Sequence, residues 1–209
     1  MRALWRRLEA AASRSPLSLR LRPAASDAHV RAAERTMGLA FPEDFRESLL
    51  VHDGQEPGEG ERDAFEWLPG HERLACLDAI VDEWVDESST FETQHAGQPP
   101  EEILGGQLYH YLWHPKRIPI AGNPWWDQDN TYLDLLPGPR GVHGQVAMFG
   151  KGVFGEVHAP SFRVGLELYA NALESGEWSF RDGQCLPRSK AVGGWARYAS
   201  KKLGTLKAR

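Results

Sequence analysis

The chain has 209 residues, of which 41% are apolar, and it carries eight tryptophans and a formal net charge of −5. This composition suffices for one packed core, so neither disorder nor a disulfide framework is needed to explain stability. Cys76 and Cys185 show no C-x-x-C spacing, the N-terminus lacks the apolar run of a signal peptide, and no stretch reaches eighteen apolar residues. We therefore expect a cytoplasmic protein that is neither exported nor inserted into a membrane.

The charge is distributed unevenly along the chain. Residues 1–35 carry a net +5, residues 36–102 carry −15, and residues 103–209 carry +5. Binding to a phosphate backbone needs a continuous basic face, which an acidic middle third would interrupt. The pattern thus argues against nucleic acid as a direct partner.

The first third predicts three helices. Residues 4–12 form a short arginine-rich helix in an N-terminal arm that spans 1–25. Ser26 supplies an N-cap for a second helix that runs to Met37, and Gly38 follows it as a left-handed C-terminal residue. A third helix begins at Pro42, which suits the first helical position.

A fourth helix is predicted from an apolar stripe at spacings of three and four, with carboxylates on the opposite side. The stripe comprises Leu74, Leu77, Ile80, Val81, Trp84 and Val85. The carboxylates are Asp78, Asp82, Glu83, Asp86 and Glu87.

The second half changes to short apolar runs separated by Pro, Gly and Asn, which indicates an antiparallel meander. The predicted strands are 107–114, 117–121, 130–136, 145–149 and 153–158. A helix that opens at Pro160 closes the domain, which spans 26–180, and a basic tail over 181–209 adds a short helix near 195–203. The fold class is therefore α+β, with N-terminal helices, an antiparallel or mixed sheet of five to six strands, and a closing C-terminal helix.

Particular residues within this order resemble the SUKH superfamily. Residues 38–54, with Gly-Leu-Ala-Phe-Pro entering a helix that ends in His-Asp-Gly, look like its helix entry and turn. Ile118-Pro119-Ile120-Ala121, the strand 129–135 ending near Asp134, and the Gly-x-x-Gly-x-Val return at 141–146 look like its strands. The resemblance covers roughly 26–179 and departs at 123–128, where many members have a Gly-rich turn.

The resemblance implies a non-enzymatic, protein-binding scaffold that needs no cofactor. Bacterial members resemble immunity proteins that neutralise toxins, many of them nucleases or deaminases, whereas fungal members resemble regulatory hubs. The preference for arginine over lysine indicates a GC-rich bacterial genome. We therefore predict an immunity-type protein that binds a basic cognate toxin, and the alternative is a regulatory interaction hub with a cell-wall or signalling role and no toxin partner.

The predicted partner surface combines carboxylates with two tryptophans. An acidic field raises the association rate with a basic partner by a factor of about 10–10³, although a merely solvated helix face is the alternative interpretation of these carboxylates. Tryptophans in a Gly- and Pro-flanked connection are candidate anchors, although packing into the core is the alternative. The predicted residues are Glu59, Glu61, Asp63, Asp78, Asp82, Glu83, Asp86, Glu87, Trp125 and Trp126.

Other motifs are interpreted as structural, and we expect no catalytic residue and no metal site. His110 and His114 have zinc-like spacing, but the segment is typical of a strand, in which residues four apart lie about 13 Å apart. His52 and Asp53 are interpreted as a helix cap and turn. Residues 144–151 lack the spacing of a phosphate-binding loop.

Overall fold

The structure is a computed structural model. It describes residues 1–13, 19–56, 73–95, 101–111, 113–123, 126, 129–150, 152, 155–181 and 184–204. The described helices are α1 (Arg2–Ala12), α2 (Asp27–Met37), α3 (Glu43–Leu49), α4 (Leu77–His95), α5 (Phe162–Glu174) and α6 (Trp195–Leu203), with a 3-10 helix at Lys190–Val192. The described strands are β1 (Arg73–Leu74), β2 (Glu102–Ile103), β3 (Leu108–Tyr109), β4 (Arg117–Gly122), β5 (Asn130–Asp134), β6 (Gln145–Phe149), β7 (Glu156–Ala159), β8 (Trp178–Arg181) and β9 (Gln184–Pro187).

Local sequence explains where the helices begin and end. The hydroxyl of Ser26 accepts a hydrogen bond from the backbone N–H of His29 at the start of α2. Gly38 ends that helix with φ of 63°, a left-handed conformation that glycine adopts without steric cost. Ser161 caps α5 in the same way as Ser26 caps α2, through the backbone N–H of Val164.

The central sheet has five antiparallel strands in the order β1-β4-β5-β6-β7. In the β5–β6 pair, Tyr132 lies opposite Ala147 and Leu133 lies opposite Val146. Neighbouring residues of a strand point to opposite faces of the sheet. Leu133 and Val146 belong to the main core, whereas Tyr132 and Ala147 belong to a second cluster on the other face.

The main core lies between one face of the sheet and the helices. Helix α5 contacts β6, β7 and β8, and α1 and α3 both pack against α5. Trp5 of α1 is fully buried in this core. The first and last helices, which lie outside the predicted span 26–180, therefore both contact core elements, since α6 packs along β7.

The second cluster covers the opposite face with side chains from several short segments. Its buried members are Leu108, Trp113, Tyr132, Ala147, Phe149 and Val157. Trp84, Phe91 and Ile103 pack against them from α4 and β2. Both faces of the sheet are thus covered by apolar side chains, which explains why β4, β5 and β6 are buried along their whole length.

The predicted α+β class and the order of its elements are confirmed, with four local differences. Leu74 lies in β1 and not in the helix, because it pairs with Ala121 of β4. Val85, predicted on the buried stripe, is 47% exposed. Of the described residues in the predicted strand 107–114, only Leu108–Tyr109 form a strand, which pairs with β2. The hairpin of β8 and β9 was not predicted.

Candidate functional site

The turn that follows α3 holds the start of α4. The side-chain Oδ1 of Asp53 accepts a hydrogen bond of 2.7 Å from the backbone N–H of Leu77, the first residue of α4. The same carboxylate lies 3.5 Å from Nε of Arg22. Gly54 follows with φ of 67°, and a Cβ at this position would collide with the carbonyl of Ala75. This motif therefore joins α3, α4 and the chain near residue 22.

His52 is also held by neighbouring segments. Its Nε2 lies 2.9 Å from the Glu9 carboxylate, its Nδ1 lies 3.0 Å from the Arg22 carbonyl, and its ring packs edge-on against Trp5. Both ring nitrogens thus have structural partners. Asp53 therefore caps the start of α4, whereas the sequence placed the cap and turn at the end of the helix that precedes His52.

A buried polar group at one end of the sheet involves the other residues that resemble family motifs. Asp134 is fully buried, and its Oδ1 lies 3.6 Å from Nε of Arg117, whose side chain is 1% exposed. The side-chain amide of Gln145 donates to Asp134 over 3.2 Å and to the carbonyl of Gln107 over 2.9 Å. The backbone N–H of Gly144 donates to the Asp134 carbonyl. These bonds close the β5–β6 connection.

Arg117 attaches a further segment to the sheet. Its guanidinium donates to the carbonyls of Tyr109, over 2.7 Å, and Tyr111, and it lies 3.7 Å from the centre of the Phe149 ring. Burial lowers the pKa of Arg117, and the charge of Asp134 opposes that shift. A charge this deeply buried needs all these partners, so the group is structural.

The carboxylates of α4 separate into two sets. Asp78, Asp82 and Asp86, which we call the acidic row, are exposed. Asp78 pairs with His29 over 2.8 Å, whereas the structure shows no hydrogen bond or ion pair from the side chains of Asp82 and Asp86 to another described residue. Glu83 and Glu87 are instead partly buried.

The partly buried set has an unusual electrostatic environment. Burial, together with the neighbouring charges of Glu87 and Asp86, raises the pKa of Glu83 to about 7. Burial likewise raises the pKa of Glu87. Both carboxylates act electrostatically on Tyr132 of the second cluster. Of these five carboxylates, the three of the acidic row are therefore the ones exposed to solvent.

Of the remaining predicted site residues, the structure describes Trp126. Glu59, Glu61, Asp63 and Trp125 lie outside the described residues. Trp126 is partly buried in the connection between β4 and β5, where its carbonyl accepts a hydrogen bond of 2.9 Å from the side chain of Asn130. Its φ is 53°, and its ring lies over Gly122, where a Cβ would clash with it.

Sequence reasoning missed a cleft of about 390 Å³ near the C-terminus. We call it the C-terminal cleft, and it is lined by residues of β7, the β8–β9 hairpin and the start of α6, including Glu156, His158, Trp178, Pro187, Lys190 and Trp195. The rings of Trp178 and Trp195 pack edge-on, with their centroids 5.2 Å apart. The Gly193-Gly194 pair indicates only where α6 begins and does not predict the cleft.

In the part of the chain that the structure describes, no helix combines the length and the hydropathy needed to cross a bilayer. Within the same residues, no cluster of three or more His, Cys, Asp or Glu side chains is arranged to hold a metal ion.

Comparison with known proteins identifies related sequences. The SMI1 / KNR4 family (SUKH-1) matches residues 24–168. The cell wall biosynthesis/cell cycle regulator smi1 of Schizosaccharomyces pombe is 29% identical over 195 residues, which cover 83% of this chain and 36% of that protein. A glucan synthesis regulatory protein of Neurospora crassa is 27% identical over 183 residues, which cover 69% of this chain and 32% of that protein. The chain thus spans about a third of the length of either relative.

Proposed function

Because the chain belongs to the SMI1 / KNR4 family (SUKH-1), we propose that it is a regulatory protein-interaction domain that catalyses no reaction. Both relatives described above are named as regulators, one of cell wall biosynthesis and the cell cycle and one of glucan synthesis. These names favour the regulatory hub, the alternative in the sequence analysis, over toxin neutralisation.

The way in which the motif residues are used supports a non-enzymatic domain. Three charged groups in or beside the motifs that resemble the family, Asp53, Asp134 and Arg117, are buried, and each of them is engaged in structural bonds. An acid or base in catalysis must instead reach a substrate proton. This use of the motif residues is the observation that carries the proposal.

The acidic row is the surface that we propose for the partner. Asp82 and Asp86 are four residues apart, so they lie on the same side of α4, about one helical turn from each other. Holding like charges at this spacing costs an isolated helix only about 0.2–0.5 kcal/mol. An exposed row of this kind attracts a basic partner and speeds its association.

A charge-reversal experiment tests this surface. We expect Asp82→Lys to weaken capture of the partners that the wild-type chain enriches in proximity labelling in its own cells. The association rate of an enriched partner, once purified, should also fall as ionic strength rises, because salt screens exposed charges. The matched control is Glu43→Lys, which reverses an exposed carboxylate on α3. Equal loss of partners in both variants would contradict the assignment.

The same experiment separates the two functions. A regulatory domain should enrich cellular proteins that keep their activity when bound. A toxin-neutralising protein should instead enrich a single basic toxin, and titration of the chain into that toxin's assay should abolish activity near one equivalent. The presence of a toxin-like reading frame beside the gene would favour this second outcome.

A further inference from the structure

The side chain of His52 connects α1 to the turn that follows α3. Its Nε2 lies 2.9 Å from a carboxylate oxygen of Glu9 in α1, and its Nδ1 lies 3.0 Å from the backbone carbonyl oxygen of Arg22. The imidazole also packs edge-on against the ring of Trp5, with the centroids 5.0 Å apart. Three segments that are distant in sequence thus meet at one histidine ring.

Both polar partners of this ring can only accept hydrogen bonds. A backbone carbonyl has no hydrogen to donate, and a glutamate side chain has none once it is ionised, as it ordinarily is above about pH 4.3. A neutral imidazole carries one N–H group, whereas an imidazolium carries two. Only the protonated ring can therefore donate to Glu9 and to the Arg22 carbonyl at the same time.

Other charged groups come from the elements around His52, and they are Arg6, Arg22, Asp53 and Glu56. Arg6 lies three positions before Glu9 and is exposed on α1. The guanidinium of Arg22 lies 3.3 Å from the Glu56 carboxylate and 3.5 Å from that of Asp53. The Arg22 side chain thus pairs with these two carboxylates, and the structure shows His52 as the partner of Glu9.

From this geometry we propose that His52 is a pH-sensitive switch that sets how firmly α1 is attached. The protonated ring holds Glu9 and the Arg22 carbonyl together, whereas the neutral ring loses one of these two hydrogen bonds. Because imidazole ordinarily changes its charge near about pH 6.5, the attachment is complete on the acidic side and weakens as pH rises. The match to the SMI1 / KNR4 family begins at residue 24, so the switch acts on a helix outside that match. It does not depend on the acidic row or on its partner.

Amide hydrogen exchange of α1, measured by NMR on the full chain at about pH 5.5 and about pH 8, tests the switch. We expect the protection factors of α1 to be about two- to fivefold lower at the higher pH. The effect is modest because the Glu9 side chain is 44% exposed. The ring nitrogen signals of His52 should show the loss of its proton over the same pH interval. Equal or higher protection of α1 at about pH 8, or a ring that is already neutral at about pH 5.5, would overturn the proposal.

Glu9→Gln separates the switch from a contact that is merely structural. A side-chain amide can donate or accept, so it can pair with Nε2 in either protonation state of the ring. We therefore expect α1 to lose this pH dependence in the Glu9→Gln variant.

The matched control is Glu174→Gln, which removes the charge of a different partner of α1. Glu174 of α5 lies 2.7 Å from the guanidinium of Arg7, and no histidine takes part in that ion pair. This variant should lower the protection of α1 at both pH values and keep the wild-type decrease between them. Any pH dependence that arises from Glu83 is present in all three chains, so it cancels in the comparison. The same pH dependence in Glu9→Gln as in Glu174→Gln would show that His52 is not the switch.

Discussion

The indole Nε1–H of Trp5 donates a hydrogen bond of 2.9 Å to the hydroxyl of Ser48, and both side chains are buried. This bond joins α1 to α3 across 43 positions of sequence. The arginine-rich N-terminal segment is therefore held by this buried polar contact as well as by apolar packing.

Replacement of Trp5 should test how much this contact contributes. We expect Trp5→Phe to lower the free energy of unfolding by about 1–3 kcal/mol, because the ring is smaller and the buried Ser48 hydroxyl loses its partner. Chemical denaturation measures the change. Adding Ser48→Ala should cost less in the Trp5→Phe variant than in the wild type, and additive losses would contradict a direct contact. Arg6→Gln, on the exposed side of α1, is the control.

Asp53 should be needed for the stability of α4. We expect Asp53→Ala to lower the free energy of unfolding by about 0.5–2 kcal/mol, the usual cost of losing a helix cap. Asp82→Ala removes a carboxylate from the exposed side of the same helix and should change stability by less than about 0.5 kcal/mol. Similar losses in the two variants would show that Asp53 does not act as a cap.

The buried pair of Arg117 and Asp134 predicts asymmetric effects. We expect Asp134→Asn or Arg117→Met alone to cost about 3–5 kcal/mol, because each leaves the other charge buried without its partner. The double variant Arg117→Met/Asp134→Leu should recover much of that loss, since an apolar pair needs no charge compensation. Thermal and urea unfolding would measure the three variants, and a double variant as unstable as the sum of the singles would argue against this coupling.

Glu83 predicts a dependence of stability on pH. Its pKa in the folded chain is raised to about 7 from an ordinary value of 4.5, so the folded state holds its proton more tightly than the unfolded state does. Stability should therefore fall as pH rises from about 4.5 through about 7. Glu83→Gln should remove this loss, so its stabilising effect should be larger at pH 8 than at pH 5.

Urea unfolding at several pH values measures this difference. The matched control is Asp82→Asn, which removes a charge from the exposed side of α4. The explanation fails if the effect of Glu83→Gln is the same at both pH values or matches that of Asp82→Asn.

Local patterns in the sequence were good guides to individual helices. Ser26 and Gly38 mark the ends of α2, because capping and a left-handed residue act within one turn of the helix. The apolar spacing along α4 predicted that Val85 is buried, but the residue is exposed. Spacing along a helix predicts that side chains share a face, but which part of that face is covered depends on α2 and β4.

The candidate sites divide in the same way. The acidic row could be predicted from residue spacing. That Glu83 is partly buried while Asp82 is exposed depends on the packing of α4 near Tyr132. The C-terminal cleft could not be predicted, because it forms where β7 meets Trp178 and Trp195 from segments that follow it in the chain. No short-range pattern encodes such a meeting.

The sequence by itself determined the α+β class, the helix ends and the motifs that resemble the family, because these depend on interactions between residues close in the chain. Only the tertiary structure decided that Asp134 and Arg117 are buried together, that Trp5 belongs to the core, and that an uncapped α6 opens onto a cleft. Burial and long-range contacts arise from how the elements pack, and packing is a property of the whole chain.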